Sequence, residues 1–383
     1  MEFDWHKCRF LESADNLKRL TKVRTGRSIS SAIAREIVAC VQQGRLFYEA
    51  AASAPLEIRP LQQFYGMIGF AKALVASHRM ASLSTLCAAH GLSDISASNS
   101  RIPELTVRLG SAGTFQEFND VVAELNRLCC YGGDAMEPYV IRLPTAKSHT
   151  LLGLQLTLRD LLSRIPDMES LYEMTFEAAP DLKKVGVFHD SINPSAWEVT
   201  VQGGPPISDR EAAREVVREC RHTVPFLQSW RLKYAARSYG ETLLTFMNVE
   251  ATGIDDLSEE WLPQHDGYFE ATEPDRPDAR FPVENRFNPL AGGYSGLVYA
   301  ITPVATAYLS EYSLHYLALF LLSSLVRYRP QVWAHAISRS ATAQQPAGDE
   351  ALSLVERFLE LNRFAIPSLT VQVLNPHEDR YNR

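Results

Sequence analysis

The run Leu314–Val326 constrains the fold more than any other stretch of this chain. It is the longest apolar run, interrupted only by His315, Ser323 and Ser324. It falls short of the roughly 20 apolar residues that a membrane-spanning helix requires, so it reads as a helix buried inside the protein. Thr302 and Pro303 supply cap and first-turn signals for its start. Pro330 is expected to end it near Tyr328, because the residue before a proline is driven out of the helical region. Hydrophobic residues make up 46% of the chain and charged residues 22%, which fits a folded core rather than a disordered chain. The 383 residues leave room for two or three packing units, at roughly 100–200 residues each.

The periodicity changes twice along the chain. Residues 1–165 read as a helical N-terminal part. Ser30 to Ala52 carries Ile33, Ile37 and Val41, then Leu46, Phe47 and Tyr48, spaced three or four apart as on one helical face. Pro60 opens a second helix with the stripe Leu61, Phe64, Ile68, Ala71 and Val75, and Gly66, Gly69 and Ala73 leave room for another helix to approach. Thr114 with Glu117 reads as a capping box, and a further helix fits Leu151 to Ile165. Residues 166–300 read as a β-containing section, with strands at Tyr172–Ala178, Val185–Phe188, Trp197–Val201 and Leu243–Val249. Ser208-Asp209-Arg210-Glu211 starts a charged helix inside it that runs to about His222. Residues 301–383 read as a C-terminal helical part. Its last helix is capped by Asp349, ends at Pro367, and is followed by a strand through Leu369, Val371 and Val373. The expected fold is mainly α with an inserted β-containing (α+β) section, the helical N- and C-terminal parts packing together.

Charge is concentrated. The chain carries a net −7, but Glu250–Glu284 holds eleven acidic residues against Arg276 and Arg280, a local −9 that leaves the rest of the chain at +2. Pro263, Pro274, Pro277 and Pro282 fall in the same stretch, so residues 250–284 read as an exposed acidic loop through which a protein partner could dock. The net charge therefore does not exclude a local basic patch that meets phosphate.

The N-terminus mixes charge signs and lacks an apolar core segment, so no signal peptide is expected. The six cysteines form no C-x-x-C pair, and no histidine pair stands at zinc spacing. Inert thiols in a reducing cytoplasm, with no metal, no cofactor and no membrane association, are the expectation. Phosphate-loop, dinucleotide-binding, nucleophile-elbow and zinc-protease motifs are all absent from the sequence. His189, Asp190 and Ser191 are adjacent and so cannot converge as a triad.

Three polar sets remain. The first is Arg327, Arg329 and His335 at the end of the long C-terminal helix. A histidine can take the proton of an RNA 2′-hydroxyl, and an arginine can hold the phosphate as its charge grows, with no metal involved. The second is Lys18, Arg19, Lys22, Arg24 and Arg27, a basic cluster able to bind RNA or nucleotide phosphates. The third is Glu311, Tyr312, His315 and Tyr316, in which Glu311 and His315 are four apart and share a helix face.

Two blocks resemble the YaaC-like family of bacterial proteins. One holds Phe47-Tyr48-Glu49-Ala50-Ala51, Arg59-Pro60-Leu61, Tyr65-Gly66 and Lys72-Ala73-Leu74; the other holds Glu311, Leu319–Ser323, Arg327-Tyr328, Pro330 and Trp333. The resemblance implies a mostly helical cytosolic protein. The arginine-rich helix end is also similar to the HEPN superfamily, whose ribonucleases carry an arginine and, four to six residues later, a histidine. Carried over, that pattern falls on Arg329 and His335, with Pro330 in place of the usual polar residue after the arginine. It implies a metal-independent endoribonuclease or an effector in antiviral defence, acting as a homodimer. The alternative is a non-catalytic regulatory protein that binds a nucleotide or a protein partner.

Overall fold

The computed structural model describes residues 3–125, 127–132, 137–142, 146–189, 197–238, 240–250, 257, 268–270, 290–292, 298–304, 307–338 and 350–377. Helices α1 (Trp5–Leu11), α2 (Ala14–Thr25), α3 (Ser31–Ser53) and α4 (Arg59–Arg79) open the chain. Strands β1 (Leu92–Asp94) and β2 (Thr106–Leu109), helix α5 (Thr114–Leu125), strands β3 (Arg127–Gly132), β4 (Glu137–Arg142) and β5 (Gln155–Thr157), and helices α6 (Leu158–Leu162) and α7 (Glu169–Phe176) follow. Next come β6 (Leu182–His189), β7 (Trp197–Gln202), α8 (Arg210–Thr223), β8 (Trp230–Ser238), β9 (Glu241–Glu250), β10 (Tyr268–Glu270), β11 (Leu290–Gly292) and β12 (Val298–Ile301). Helices α9 (Glu311–Tyr328), α10 (Pro330–Ala336) and α11 (Leu352–Leu374) complete the described fold. It is mainly helical with antiparallel sheets, an α+β arrangement.

The chain divides into two compact units. One comprises Met1–Leu125, Ala146–Pro180 and Ser310–Arg383; the other comprises Asn126–Thr145 and Asp181–Leu309. In the first unit the helix starts follow local chemistry. The Ser30 hydroxyl accepts from the Ile33 N–H to cap α3, and Pro60 sits in the first turn of α4, where its missing N–H costs nothing. The α3–α4 crossing depends on glycine. A Cβ on Gly66 would stand 2.5 Å from Tyr48 Cδ2, and one on Gly69 would stand 2.9 Å from the Cys40 carbonyl oxygen and the Gly44 nitrogen. Gly66 makes room for the buried Tyr48 ring and Gly69 lets the two backbones approach, so these small residues set the spacing of the two helices.

Helix α9 runs through the middle of this unit. Glu311 and every residue from Ser313 to Leu325 are buried, against α4, α5, α6, α10 and α11. It starts later than its sequence signals indicate. Thr302 and Pro303 lie just beyond β12, and the cap is Ser310, whose hydroxyl accepts from the Ser313 N–H. Helix α11 likewise continues through Pro367, and Leu369 and Val371 are buried helical residues, not a strand. One lost backbone hydrogen bond is outweighed there by burial of Ile366, Leu369, Thr370, Val371 and Leu374. The Thr370 hydroxyl also donates back to the Ile366 carbonyl inside the helix. Tyr172 belongs to helix α7 rather than a strand, and the expected Leu151–Ile165 helix is β5 followed by the short α6. Thr114 begins α5, with its hydroxyl donating to the carbonyls of Cys87 and Ala89. Asp349 lies outside the described residues.

The second unit is built on a seven-stranded antiparallel sheet in the order β10-β8-β9-β7-β6-β12-β11, with β3 and β4 paired as a separate antiparallel hairpin. Trp197, Val199 and Val201 alternate inward along β7, the period-two pattern of a half-covered strand. Helix α8 is capped by Asp209, which accepts from the Ala212 N–H at 2.9 Å. It buries Ala213, Val216, Val217 and Cys220 in one core with Trp230, Leu232, Leu244 and Phe246. Cys129 and Cys130 lie in β3. Most of the acidic stretch 250–284 lies outside the described residues. Leu257 and β10 are the described parts beyond Glu250, and Leu257 and Phe269 are buried.

Candidate functional site

The C-terminal end of α9 is where the buried helix reaches solvent. Leu325 is fully buried, whereas Tyr328 is 70% exposed. Pro330 then acts at two levels. It forces Arg329 out of helical geometry, to φ −137° and ψ 50°, and it serves as the first residue of α10. Helix α9 thus ends at Tyr328, where the sequence predicts, and a separate short helix begins at Pro330.

Arg329 faces back into the first unit. Its Nη2 donates to Asp94 Oδ2 at 2.6 Å and its Nη1 to the Ala97 carbonyl at 3.2 Å. Ser324 Oγ donates to the same Asp94 oxygen at 2.7 Å, and the Ser96 N–H and hydroxyl donate to Oδ1. Burial alone would raise the pKa of Asp94. The hydrogen bonds from Ser96 and Ser324, with the Arg329 charge, outweigh it and hold the carboxyl below its ordinary value. Arg329 is therefore spent on tying β1 to the end of α9. His335 lies six residues on, exposed near the C-terminal end of α10, and no hydrogen bond or ion pair joins its side chain to Arg329 among the described residues.

Arg327 takes a different course. Its Nε donates to the Ser323 carbonyl at 3.3 Å. Its guanidinium carbon stands 4.9 Å from the Tyr328 ring centroid and 5.7 Å from that of Phe64, within cation–π range of both. The imidazole of His90 packs on the same Phe64 ring, with centroids 5.4 Å apart, and near Phe320 at 6.3 Å. His90 is fixed by its own backbone, whose carbonyl accepts from the Phe115 N–H at the start of α5. Its Nδ1 is buried and has no hydrogen-bond partner among the described residues. Desolvation, then the charges of Arg327 and Lys72, lower its pKa below the ordinary histidine value, so the imidazole is neutral at pH 7. Arg327 thus links the exposed Tyr328 ring to the Phe64 ring on which His90 packs, and the charge of Lys72 is felt at His90. Only Arg327 of this set stands out in the sequence; His90 and Lys72 come from distant segments.

The basic cluster of α2 disperses. Arg24 turns inward and donates to the Ser77 hydroxyl and carbonyl and to the Val373 carbonyl. Lys18 donates to Ser31 Oγ and Arg19 to Asn16 Oδ1, while Lys22 and Arg27 are exposed. Ser77, where Arg24 docks, and Phe64, where Arg327 docks, are thirteen residues apart on α4, roughly 20 Å at 1.5 Å per residue. The two cationic regions are therefore separate.

The Glu311–His315 set is closed core. His315 is fully buried and stacks on Phe358 at 5.3 Å. Tyr48 donates to Asn362 Oδ1 at 2.7 Å, and the Asn362 amide stands 3.2 Å from His315 Nδ1. With the amide donating, Nδ1 is the acceptor and the ring proton sits on Nε2, 3.9 Å from Glu311. Tyr316 is enclosed by Phe64, Phe115 and Phe118, and burial pushes its pKa far up. Glu311, His315 and Tyr316 are thus enclosed in the core, whereas Tyr312 is half-buried.

Among the described residues no cluster of three or more His, Cys, Asp or Glu side chains is arranged to hold a metal ion, and no helix is long and apolar enough to cross a membrane. No curated protein and no solved structure matches the chain. The family model described as YaaC-like Protein matches residues 9–374. That match takes in α9, α10 and the His90 segment together, and the chain belongs to the YaaC-like family.

Proposed function

We propose that this chain binds the phosphates of RNA or of a nucleotide at the C-terminal end of α9, in a regulatory and non-catalytic role. One observation carries the reading. Tyr328 is a large aromatic side chain, 70% exposed, held beside the guanidinium of Arg327 at the point where an otherwise buried helix surfaces. An exposed ring paired with a cation offers stacking to a base and charge to its phosphate. Lys72 adds charge, and neutral His90 adds a hydrogen-bonding group. The test is fluorescence anisotropy with labelled single-stranded RNA and with labelled ATP. Arg327→Ala and Tyr328→Ala should each weaken binding about 10-fold, in line with 1–3 kcal/mol per stacked base. No binding at low salt, or binding indifferent to both substitutions, overturns the reading.

A second reading, a metal-independent endoribonuclease that does not use the Arg329–His335 pattern, is favoured by one specific observation. His90, not His335, shares the Phe64 ring with Arg327, and an imidazole is the side chain that most often serves as a general base. An effector role in antiviral defence and a homodimeric site would depend on that activity. RNA incubated with the chain in EDTA should then be cut to fragments ending in cyclic phosphate. His90→Ala should abolish cleavage and His335→Ala leave it intact; RNA that survives overturns this reading.

A further inference from the structure

We infer that a second site, at Arg159 in the first unit, binds a small zwitterion with the carboxylate and ammonium groups of a free α-amino acid. The basis is a cavity of about 250 Å³ whose lining includes Arg101, Glu104, Arg159, Phe176 and Glu350. That is below the roughly 300 Å³ at which pockets for drug-sized ligands begin, so the occupant is small.

Arg159 is prepared for an anion. Its guanidinium carbon lies 4.5 Å over the Phe176 ring. Its Nε donates to the Tyr172 hydroxyl at 3.3 Å, and Tyr172 is itself buried, with its ring edge-on to Phe176 at 4.8 Å. These contacts fix the plane of the guanidinium. They leave Nη1 and Nη2 without a hydrogen-bond or ionic partner among the described residues. Two parallel N–H donors in a fixed fork match a carboxylate.

The other charges in the lining are unequal. Arg101 donates from its backbone N–H and its Nε to the two oxygens of Glu104, which satisfies that carboxylate. Arg101 Nη1 also donates to Glu350 Oε1 at 3.0 Å, and no partner of Glu350 Oε2 is found among the described residues. Among the described residues the cavity thus presents a cationic fork and a carboxylate oxygen without partners, and the four charged side chains named sum to zero. A plain carboxylate would use only the first and an inorganic phosphate would face the second as a repulsion. An amino-acid zwitterion satisfies both.

The test uses the full chain. The twenty standard amino acids are screened singly by thermal shift at up to about 10 mM, enough to raise the melting temperature when the dissociation constant is well below that, and hits are measured by calorimetry. At least one amino acid should bind. Arg159→Ala should weaken it about 10-fold or more, Arg159→Lys less, and Glu350→Gln should weaken it while leaving affinity for the matching des-amino carboxylate unchanged. Arg159 is exposed, and circular dichroism of each variant checks that the fold is kept. The proposal is overturned if no amino acid binds, if Arg159→Ala binds as well as the parent, or if the des-amino acid or inorganic phosphate binds as tightly as the amino acid.

Discussion

Arg329 reaches Asp94 at 2.6 Å, and this pair joins the break between α9 and α10 to strand β1. Both side chains are about 15% exposed, so the pair is largely shielded from solvent and its loss leaves a poorly solvated carboxylate. Arg329→Ala is expected to destabilise the chain by about 1–3 kcal/mol, the cost of an orphaned, partly buried polar group. Urea denaturation would show a lower midpoint with an unchanged slope.

The same pair makes a prediction for pH. The folded pKa of Asp94 lies below its unfolded value, so its stabilisation is complete above the ordinary carboxylate pKa and disappears as pH falls through the lowered folded value. Stability measured from pH 7 down to pH 2 should therefore fall less steeply in Asp94→Asn than in the parent. Parallel curves would mean that Asp94 titrates alike in the folded and unfolded chains.

If Arg327 meets phosphate, binding of single-stranded RNA must depend on salt. Removing one phosphate contact should reduce the slope of log K against log salt by about 0.7. Arg327→Ala is expected to show that reduction. Arg24→Ala, whose side chain is committed to Ser77 and Val373, is expected to change stability and leave the slope alone.

Gly69→Ala places a methyl group within 2.9 Å of backbone atoms of α3. Backbone cannot yield as a flexible side chain can, so an overpacking cost of about 1–3 kcal/mol or more is expected. Alanine is the better helix former by about 1 kcal/mol, so a net loss in thermal unfolding would report the clash, and an unchanged or raised melting temperature would mean that α3 and α4 can move apart.

Thiol chemistry should follow burial. Desolvation raises the pKa of Cys8 and Cys220 to about 12 and of Cys40 to about 11, so few thiolates form at pH 8. Iodoacetamide labelling followed by mass spectrometry should leave these three unmodified in the native chain and modify them in urea. Half-buried Cys87 is expected to react ahead of them.

Features governed by neighbouring residues were legible in the sequence. Ser30 and Pro60 announce α3 and α4, Pro330 marks the end of α9, and the alternation of Trp197, Val199 and Val201 announces a strand. Features decided by distant partners were not. Thr302-Pro303 and Ser310 carry similar capping chemistry, and only the packing of α9 selects Ser310. Pro367 should stop a helix, yet the buried residues around it keep α11 continuous. In the sequence Arg327 and Arg329 read as one basic run, but Arg329 is turned to Asp94 while Arg327 lies against Tyr328 and Phe64. His90 lies in an unremarkable Ala-Ala-His-Gly stretch, and nothing short of the fold brings it to the Phe64 ring.

The burial of α9 also has a temporal side. Its packing partner α4 is complete by Arg79, whereas α9 begins at Glu311, and the whole of the second unit lies between them in sequence. On the ribosome, where domains generally fold as they emerge, the second unit has all of its residues before the first unit has its central helix. Helices α3 and α5 can cover part of α4 early, but the face that meets α9 stays open until the last third of the chain has been made.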